Sequence, residues 1–368
     1  MATQTGQEFS AASSAPPDAL IPARRSLPRL QELGLVVVIV ILGLSLTFFS
    51  RQSDTDRPNP FLNFDNVIDG IATPMSVYAI MAVGATFVII TGGIDISVGA
   101  IFALSALGAA AVLQRYEPGT PAWKVLGIGF LIAPGIGLLC GLLNGALVTG
   151  LRMHPFIVTL GTMGIFRGIA NVATTQKILP EAPRMLPDAL TTDFMQRYFF
   201  TDAEGFGGFR LMPTCMMLIV VALGWFYLQM LVAGRENYAI GGNEEAARFS
   251  GLRVGRIKLR VYALSGVTAG IAGLVSLARF GTVSTSSGEG DELAVIAAAV
   301  VGGASLTGGR GTALGALLGA LIIRMIQNGI YTLHLPQDYS KIIIGSAIII
   351  AVAIDRLAEE FSRRRQAR

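Results

Sequence analysis

Residues Val125–Val148, VLGIGFLIAPGIGLLCGLLNGALV, form a long apolar run without a charged residue. A helix needs about 20 consecutive apolar residues to cross a bilayer, and this run is long enough. The rest of the chain has the same character: 52% of its 368 residues are hydrophobic, 14% are charged, and the mean hydropathy is +0.60. In soluble domains about a quarter of the residues are charged. The sequence therefore predicts an all-α integral membrane protein, a polytopic helical bundle.

Similar apolar runs recur along the chain and predict about 10 transmembrane helices. They are Leu33–Phe49, Val67–Ile90, Ile94–Leu113, Val125–Val148, Phe156–Ala173, Pro213–Val232, Val261–Ala278, Leu293–Val301, Thr312–Gln327 and Ile342–Ile354. We expect residues 33–355 to form one transmembrane domain, between a disordered tail over 1–32 and a basic tail over 356–368. The longest break, Thr174–Met212, is expected to hold an external surface helix.

Lysine and arginine are more frequent in the segments that a cytoplasmic N-terminus would place inside. The excess comes mainly from Gly234–Arg260 and from the arginines near the C-terminus. Because cytoplasmic segments carry the excess of positive charge, we expect both termini to face the cytoplasm. The net charge of +4 has the same explanation, so nucleic acid is not an expected partner.

The sequence carries no motif for catalysis or for metal binding. Cys140 and Cys215 lie in apolar surroundings without a CxxC spacing and are predicted to be buried, while His154 and His334 are isolated. The chain has no GxxxxGK[ST] phosphate loop, no HExxH and no GxSxG. We expect no enzyme and no cofactor bound by this chain, and a nucleotide that drives transport would have to bind another polypeptide.

The polar, basic segment Gly234–Arg260 interrupts the apolar runs and predicts one short helix. An asparagine can cap its first turn, two glutamates oppose the positive end of its dipole, and a Ser-Gly pair ends it. Its residues of interest are Asn243, Glu244, Glu245, Ala246, Ala247, Ser250 and Gly251. A helix of about seven residues is marginal in water without something to pack against. We therefore expect this helix to be offered to a soluble partner.

Three polar, glycine-rich segments lie between apolar runs: Ile90–Gly99, Thr282–Asp291 and Gly302–Thr312. Non-helical backbone at membrane depth is tolerated only where it is buried in protein or lines a wet cavity. Thr282–Asp291 is either an external loop or a re-entrant segment lining the solute path. Gly302–Thr312 is either a tight cytoplasmic turn or a substrate element.

In the first segment, two interpretations of Asp95 stay open. It either caps a helix that starts at Ile96, with Gly92 and Gly93 turning at the membrane surface, or it belongs to a gate or solute path. Polar residues inside predicted spans are further candidates for that path. They are Asn144, Thr159, Thr162, Arg167, Asn171, Glu292, Arg324, Gln327 and Asn328. Arg167 and Arg324 are also explained by snorkelling from helix ends.

Two rows of glycines recur every four residues: Gly137, Gly141 and Gly145, and then Gly311, Gly315 and Gly319. Such rows let helix backbones approach closely, so we expect both to serve helix packing. No span carries a series of buried carboxylates and histidines of the kind that relays protons. The sparse neutral groups suit an uncharged, hydroxylated solute.

Four motifs occur in a fixed order: TGGIDISVG (Thr91–Gly99), PFIVTLG (Pro155–Gly161), AIGGNEEAARFSGL (Ala239–Leu252) and GGASLTGGRG (Gly302–Gly311). With them the chain resembles the permease subunits of bacterial ATP-binding-cassette importers for simple sugars, the ribose, xylose and arabinose group. The resemblance runs from about Val67 to Asp355. It leaves out the N-terminal tail and the insert Lys177–Arg210.

The resemblance implies a multi-pass protein of the bacterial inner membrane that works as a dimer of permeases, either homo- or heterodimeric. It implies two ATPase subunits, which bind the ATP, on the cytoplasmic side, a periplasmic sugar-binding protein, and alternating access as the mechanism. The family's coupling segment maps onto Asn243, Glu244, Ala246, Ala247, Ser250 and Gly251. The candidate gate or solute path consists of Gly92, Gly93, Asp95, Ser97, Asn144, Thr159 and Asn171. Under the resemblance, Asp95 and its glycines are either a gate hinge or a dimer-interface element.

Two alternatives belong to other classes of protein. A stand-alone, ion-coupled secondary carrier would also use broken helices, but the chain lacks a series of coupling-ion carboxylates. An intramembrane enzyme would need a catalytic constellation that the sequence does not show. Within the importer class, a permease for branched-chain amino acids or nucleosides shares the architecture and is separated mainly by TGGIDISVG.

Overall fold

The structure is a computed structural model that describes residues 28–53, 60–174, 177–182, 184–199, 209–350 and 353. Most of the predicted N-terminal tail and the whole predicted basic tail over 356–368 lie outside these residues. The first helix begins at Pro28, ahead of the Leu33 start of the predicted span.

The described residues form helices joined by mostly short connections, with one long connection between Ala173 and Met212. They are α1 Pro28–Ser53, α2 Thr73–Ile90, α3 Val98–Leu113, α4 Ala122–Gly150, α5 Pro155–Ala173, α6 Met212–Met230, α7 Val232–Gly242, α8 Glu244–Phe249, α9 Val254–Phe280, α10 Asp291–Val301, α11 Ala313–Thr332 and α12 over residues 338–350. A π-helical turn, Asn66–Ala72, runs directly into α2. Two short strands, β1 Ile178–Leu179 and β2 Val283–Ser284, pair antiparallel.

Seven helices of the described residues are long and apolar enough to cross a membrane. They are Glu32–Ser50, Asn66–Ile90, Ala122–Gly150, Pro155–Ala173, Met212–Met230, Val254–Phe280 and Ala313–Thr332. The chain is therefore a polytopic helical membrane protein. Two other predicted spans are shorter than a bilayer requires: α3 has 16 residues and α10 has 11.

Helices α2 and α9 occupy the centre of the bundle. The most apolar stretch of α2 is 89% buried and that of α9 is 78% buried, whereas that of α1 is 6% buried. A helix that is apolar all round is stable only inside a protein or a membrane. Helix α9 contacts α2, α3 and α4, so it touches most of the core. A displacement of α9 would be felt by three neighbouring helices.

The first glycine row explains the close contact between α4 and α9. A Cβ atom on Gly137 would overlap the Gly266 carbonyl oxygen, and one on Gly141 would overlap that of Tyr262. Gly145 faces the Leu259 backbone in the same way. In the second row Gly315 and Gly319 face α10, while Gly311 precedes α11. The predicted packing role is thus confirmed for the glycines that lie within helices.

The bundle has two ends, which we call the α8 end and the far end. The α8 end carries the α4–α5 connection (residues 151–154), α7, α8 and the start of α9, which meet there. The far end carries β1 and β2 and the segment 282–290. There the amide nitrogen of Thr285 donates to the Lys177 carbonyl oxygen at 2.9 Å.

Two predictions about position need correction. Among the described residues of the break Thr174–Met212, no surface helix is present, because the π-helical turn Thr191–Met195 packs against the bundle with Leu190 and Met195 buried. Burial of the apolar Leu190 and Met195 side chains favours packing of this turn on the helix bundle. Cys140 is buried as expected, but Cys215 is exposed, since it lies on the outward face of α6.

Candidate functional site

Helix α8 begins at the predicted cap. Asn243 has an extended backbone, and its side-chain oxygen accepts a hydrogen bond from the Ala246 amide at 2.9 Å. Glu244 and Glu245 occupy the first turn, where the free amides and the helix dipole favour negative charge. The predicted capping geometry is therefore confirmed, with a helix of six residues.

Helix α8 is terminated by a glycine, with two backbone hydrogen bonds that close its last turn. Gly251 has φ +84°, which favours glycine, and its amide donates to the Arg248 carbonyl at 3.0 Å. The Leu252 amide donates to the Ala247 carbonyl at 3.1 Å, which completes a Schellman motif. Leu252 also packs on a small apolar cluster that contains Ala247 and Ile257. The helix therefore has a defined orientation on the bundle.

An ion pair ties α8 to α9. Glu244 accepts from Lys258 Nζ on α9 at 2.7 Å and from Arg248 Nη2 at 3.2 Å. The hydrogen bond from Lys258 is the main reason why the pKa of Glu244 lies below its ordinary value. Glu244 is thus ionised at neutral pH. A force applied to α8 would reach α9 through this pair and through the Schellman stop.

The outward face of α8 carries a large apolar side chain that sequence reasoning did not select. Phe249 is 84% exposed, and Glu245, Ala246 and Arg248 are exposed beside it, whereas Ala247 points inward. An exposed phenylalanine among polar groups is typical of a protein–protein contact. The signal was present in the sequence, because Phe249 lies two residues after Ala247 and so on the opposite side of a helix.

Three segments meet beside α8. The Gly309 amide donates to the Ile90 carbonyl at 2.8 Å, and Gly241 of α7 is in close contact with both residues. Tyr238 donates to the Gly311 carbonyl at 2.7 Å. Segment 302–312 is therefore a tight turn that packs on α7, which favours the turn interpretation over a substrate element.

Asp95 lies inside the bundle and is 2% exposed. Its Oδ1 accepts from the Ser97 amide at 3.0 Å and the Ser97 hydroxyl at 2.6 Å, and its Oδ2 accepts from Ser265 at 3.2 Å. Asn144 donates to the Ser97 hydroxyl at 2.7 Å. Helix α3 begins only at Val98, so the capping interpretation at the membrane surface is wrong. Burying a carboxylate requires hydrogen-bond donors, and α9 and the start of α3 supply them.

The candidate path residues do not all come together. Thr159 on α5 accepts from the Ile96 amide at 3.2 Å and donates to the Ile94 carbonyl at 3.2 Å, which places it next to the Asp95 segment. Gly92 turns with φ +75°, and Gly93 lies against the Tyr262 hydroxyl. Asn171 is exposed near the other end of α5. It is twelve residues from Thr159, which is about 18 Å along a helix.

Asp95 offers a stability test. Replacing Asp95 with alanine leaves the Ser97 amide and the Ser265 hydroxyl without their acceptor, and each buried unpaired group costs about 1–3 kcal/mol. We expect a clearly lower melting temperature in detergent for Asp95→Ala. Asp95→Asn keeps one acceptor oxygen and should lose less. The exposed Asp188→Ala is the control, and equal melting temperatures for all three variants would contradict the assigned hydrogen bonds.

At the far end, Arg167 and Arg324 bind backbone carbonyl groups. Arg167 donates to the carbonyls of Thr285 and Ser287 at 2.8 and 2.7 Å, and Arg324 donates to the Gly70 carbonyl at 2.9 Å. Thr285 and Ser287 lie outside the helices, and Pro74, four residues after Gly70, has no amide hydrogen to donate. Arginine has enough donors to bind two such carbonyls at once. Both arginines thus bind backbone at the far end of the bundle, and snorkelling toward a membrane surface stays a prediction.

Two cavities of about 700 and 500 Å³ open at the far end and share Tyr78, Asp291 and Arg324 in their walls. The Tyr78 hydroxyl donates to Asp291 at 2.9 Å. Thr282 and Ser284 line the smaller cavity, so the segment 282–290 is more than a plain surface loop. Sequence reasoning missed Tyr78, because it lies within an apolar run and had no charged neighbour to mark it.

Comparison with known proteins identifies the family. A family described as "Branched-chain amino acid transport system / permease component" matches residues 67–352, which include α8, Asp95 and both far-end cavities. The chain belongs to this permease family. It is a transport component of the ATP-binding-cassette class and not an enzyme. Permeases of this class work in general with a separate ATPase, which uses the ATP, and with a solute-binding protein.

Curated relatives are similar to this permease over most of their length. The ribose import permease protein of Bacillus subtilis is 36% identical over 88% of this chain and 91% of the relative. The D-allose transport system permease protein of Escherichia coli is 36% identical over 86% of this chain and 90% of the relative. The galactose/methyl galactoside import permease protein of the same organism is 36% identical over 89% and 95%. No solved structure shows a significant match.

Proposed function

We propose that this chain is the permease subunit of an ATP-driven bacterial importer and translocates a monosaccharide across the inner membrane. The curated relatives that support this carry names of sugar permeases, for ribose, allose and galactose. In this proposal the seven long helices are joined by α3, α10 and α12 as shorter spans, which gives ten. Both termini and the α8 end then face the cytoplasm, and the far end faces the periplasm.

The observation that carries the proposal is the geometry of α8. It is a capped helix of six residues that exposes Phe249 and yet is fixed to α9 through Glu244 and Lys258. We infer that the ATPase holds this helix and moves it when ATP binds. Because α9 contacts α2, α3 and α4, the motion spreads through the core and switches the side to which the bundle opens.

The Asp95 segment is the proposed gate. Asp95, Ser97 and Asn144 join three helices that a shift of α9 would separate, and Gly92 supplies a hinge. The Asn144 side-chain oxygen and the Tyr262 hydroxyl are buried without a partner among the described residues. In the open state they are suited to bind water or the hydroxyl groups of a sugar. Asn171 lies apart and would contact the solute only nearer the far end.

A binding protein is the proposed source of the sugar. The far-end cavities offer Tyr78, Asp291 and Arg324 where a delivered solute would enter. Their volumes are within the range of small-molecule sites. A second copy of the permease, identical or closely related, would complete the path between the two bundles.

A branched-chain amino acid is the second candidate solute, because the family description names it. Transport assays with the ATPase and binding protein in proteoliposomes separate the two. We expect ATP-dependent uptake of a monosaccharide such as ribose, allose or galactose, and none of leucine. Leucine uptake without sugar uptake would replace the sugar by an amino acid. Ion-driven uptake by the permease alone would end the proposal.

Phe249 gives a direct test of the ATPase contact. Phe249→Asp should abolish co-purification of the ATPase, because a charge replaces an apolar side chain at the centre of the contact, where truncations often cost 2 kcal/mol or more. Phe280→Asp, an exposed phenylalanine at the opposite end of α9, is the matched control and should leave the complex intact. Loss of the complex in both variants, or in neither, would contradict this role.

A further inference from the structure

A third cavity, which lies at the α8 end, is strongly basic. It has a volume of about 540 Å³ and lies between the α4–α5 connection, α8 and the start of α9. Its charged lining consists of Arg152, Arg248, Arg253, Arg256 and Lys258 with a single carboxylate, Glu244. Five positive and one negative side chain leave the cavity with a formal charge of +4. The gate does not use this charge, and of the five basic side chains only Arg248 and Lys258 take part in the structure of α8.

Most of that charge has no counter-ion within the described part of the chain. Glu244 is occupied by Lys258 and Arg248. Arg152, Arg253 and Arg256 form no ion pair with any described carboxylate. Gathering like charges in one concave site costs free energy unless an anion binds there. The arrangement therefore calls for a ligand of negative charge.

The backbone adds to the positive potential. The cavity is also lined by Pro155 and by Val254 and Gly255, the first residues of α5 and α9. Neither helix has a side-chain cap at its N-terminus, so the positive ends of two dipoles face the cavity uncapped. Arg152 moreover has φ +53°, a conformation that costs a non-glycine residue free energy. That strained connection holds the Arg152 side chain at the cavity.

The surroundings favour a lipid as the source of the anion. Leu151, Phe156 and Ile157 are exposed beside the basic cavity, where α5 enters the predicted membrane. A basic site next to an apolar helix surface on the cytoplasmic side matches the phosphate and the acyl chain of an anionic phospholipid. A soluble phosphate compound would use the charges alone and would leave the apolar rim unused.

We propose that this cavity binds the phosphate group of an anionic phospholipid from the cytoplasmic leaflet. The proposal rests on the orientation proposed above, in which the α8 end is cytoplasmic. The bound headgroup neutralises Arg152, Arg253 and Arg256 and holds the α4–α5 connection against the start of α9. The headgroup thereby stabilises the elements against which α8 packs. Coupling of ATP hydrolysis to transport then depends on anionic lipid.

The test uses the full-length permease without its ATPase, with lipid retention measured by mass spectrometry or fluorescence. The probes are cardiolipin and phosphatidylglycerol, with phosphatidylcholine and inorganic phosphate for comparison. The variant is Arg152→Asn/Arg253→Gln/Arg256→Gln, in which asparagine tolerates the positive φ. Each basic residue near a membrane surface contributes about fivefold, so the variant should bind anionic lipid roughly 100-fold more weakly. Arg235→Gln, an exposed arginine of α7 outside the cavity, should bind normally.

The outcomes are distinguishable. Unchanged lipid binding by the triple variant overturns the proposal, and so does equal binding of phosphatidylcholine. Inorganic phosphate that displaces the lipid at low concentration assigns the site to a soluble ligand instead. Normal lipid binding by the triple variant, together with loss of ATPase co-purification in a separate experiment, assigns the charges to the ATPase contact. Should the triple variant fold poorly, Arg256→Gln alone must still bind anionic lipid about fivefold more weakly. Phe249 does not line the basic cavity, so Phe249→Asp should bind lipid normally. The ATPase contact and the lipid site are therefore tested by separate variants.

Discussion

Replacing Gly251 with proline is expected to abolish ATP-driven sugar uptake while the ATPase still hydrolyses ATP. Proline fixes φ near −65° and has no amide hydrogen, whereas Gly251 has φ +84° and donates to Arg248. The Schellman stop that orients α8 on the bundle is then lost. The ATPase can still cycle, but its motion no longer reaches α9. Uptake and phosphate release are measured on the same proteoliposomes.

Gly281→Pro is the matched control for this substitution. Gly281 also follows a helix, has φ +70°, and donates its amide to the Leu277 carbonyl, but it lies at the far end of α9. Both variants suffer the same backbone change. If Gly281→Pro protein of normal yield uncouples as strongly as Gly251→Pro, or if Gly251→Pro still transports, α8 is not the coupling element.

The double variant Asn243→Ala/Glu244→Ala tests the other end of the same helix. It removes the N-cap, worth about 1 kcal/mol, and the ion pair to Lys258. A helix of six residues has little else to hold it, so we expect uncoupling here too. Reduced uptake per ATP hydrolysed is the readout, and full coupling would contradict the assignment.

Gly137→Leu is expected to prevent the permease from folding. A Cβ on Gly137 already overlaps the Gly266 carbonyl, so a leucine would force α4 away from α9. Overpacking a core costs typically 1–3 kcal/mol and more where backbone must move. Gly135 lies two residues before Gly137, on another face of the same helix, and a Cβ atom built there would have nothing within 4 Å. Gly135→Leu should therefore fold normally.

Size-exclusion profiles of membrane extracts and melting temperatures compare the two variants. A sharp peak for Gly135→Leu and an aggregated or absent peak for Gly137→Leu are expected. Equal profiles would mean that α4 and α9 do not approach each other closely. Because both variants carry the same new side chain, lower insertion into the membrane cannot explain a difference between them.

Local patterns predicted much of the fold and one of the candidate sites. The apolar runs located the helices, because hydrophobic length depends only on neighbouring residues. The α8 motif was predicted with its cap and stop, since Asn243 and Gly251 act on the backbone within three residues of themselves. The glycine row on α4 was correctly assigned to packing, because a periodic row of small residues defines a helix face without reference to its partner.

Other features could not be predicted, because they depend on residues far apart in the chain. Asp95 looked like a surface cap until the fold placed Ser265 opposite it. Arg167 and Arg324 donate hydrogen bonds to carbonyl groups more than 100 residues away in the chain. The basic cavity likewise joins Arg152 to Arg256 across a long stretch of chain.

The amino-acid sequence by itself determined the class of protein, the helical segments and the short capped helix, since hydropathy, capping and glycine spacing act over a few neighbouring residues. Only the tertiary structure decided the burial of Asp95, the exposure of Phe249 and the charge gathered around Arg152. Burial, exposure and electrostatic potential are properties of what surrounds a side chain, and in a helical bundle most of those surroundings come from distant parts of the chain.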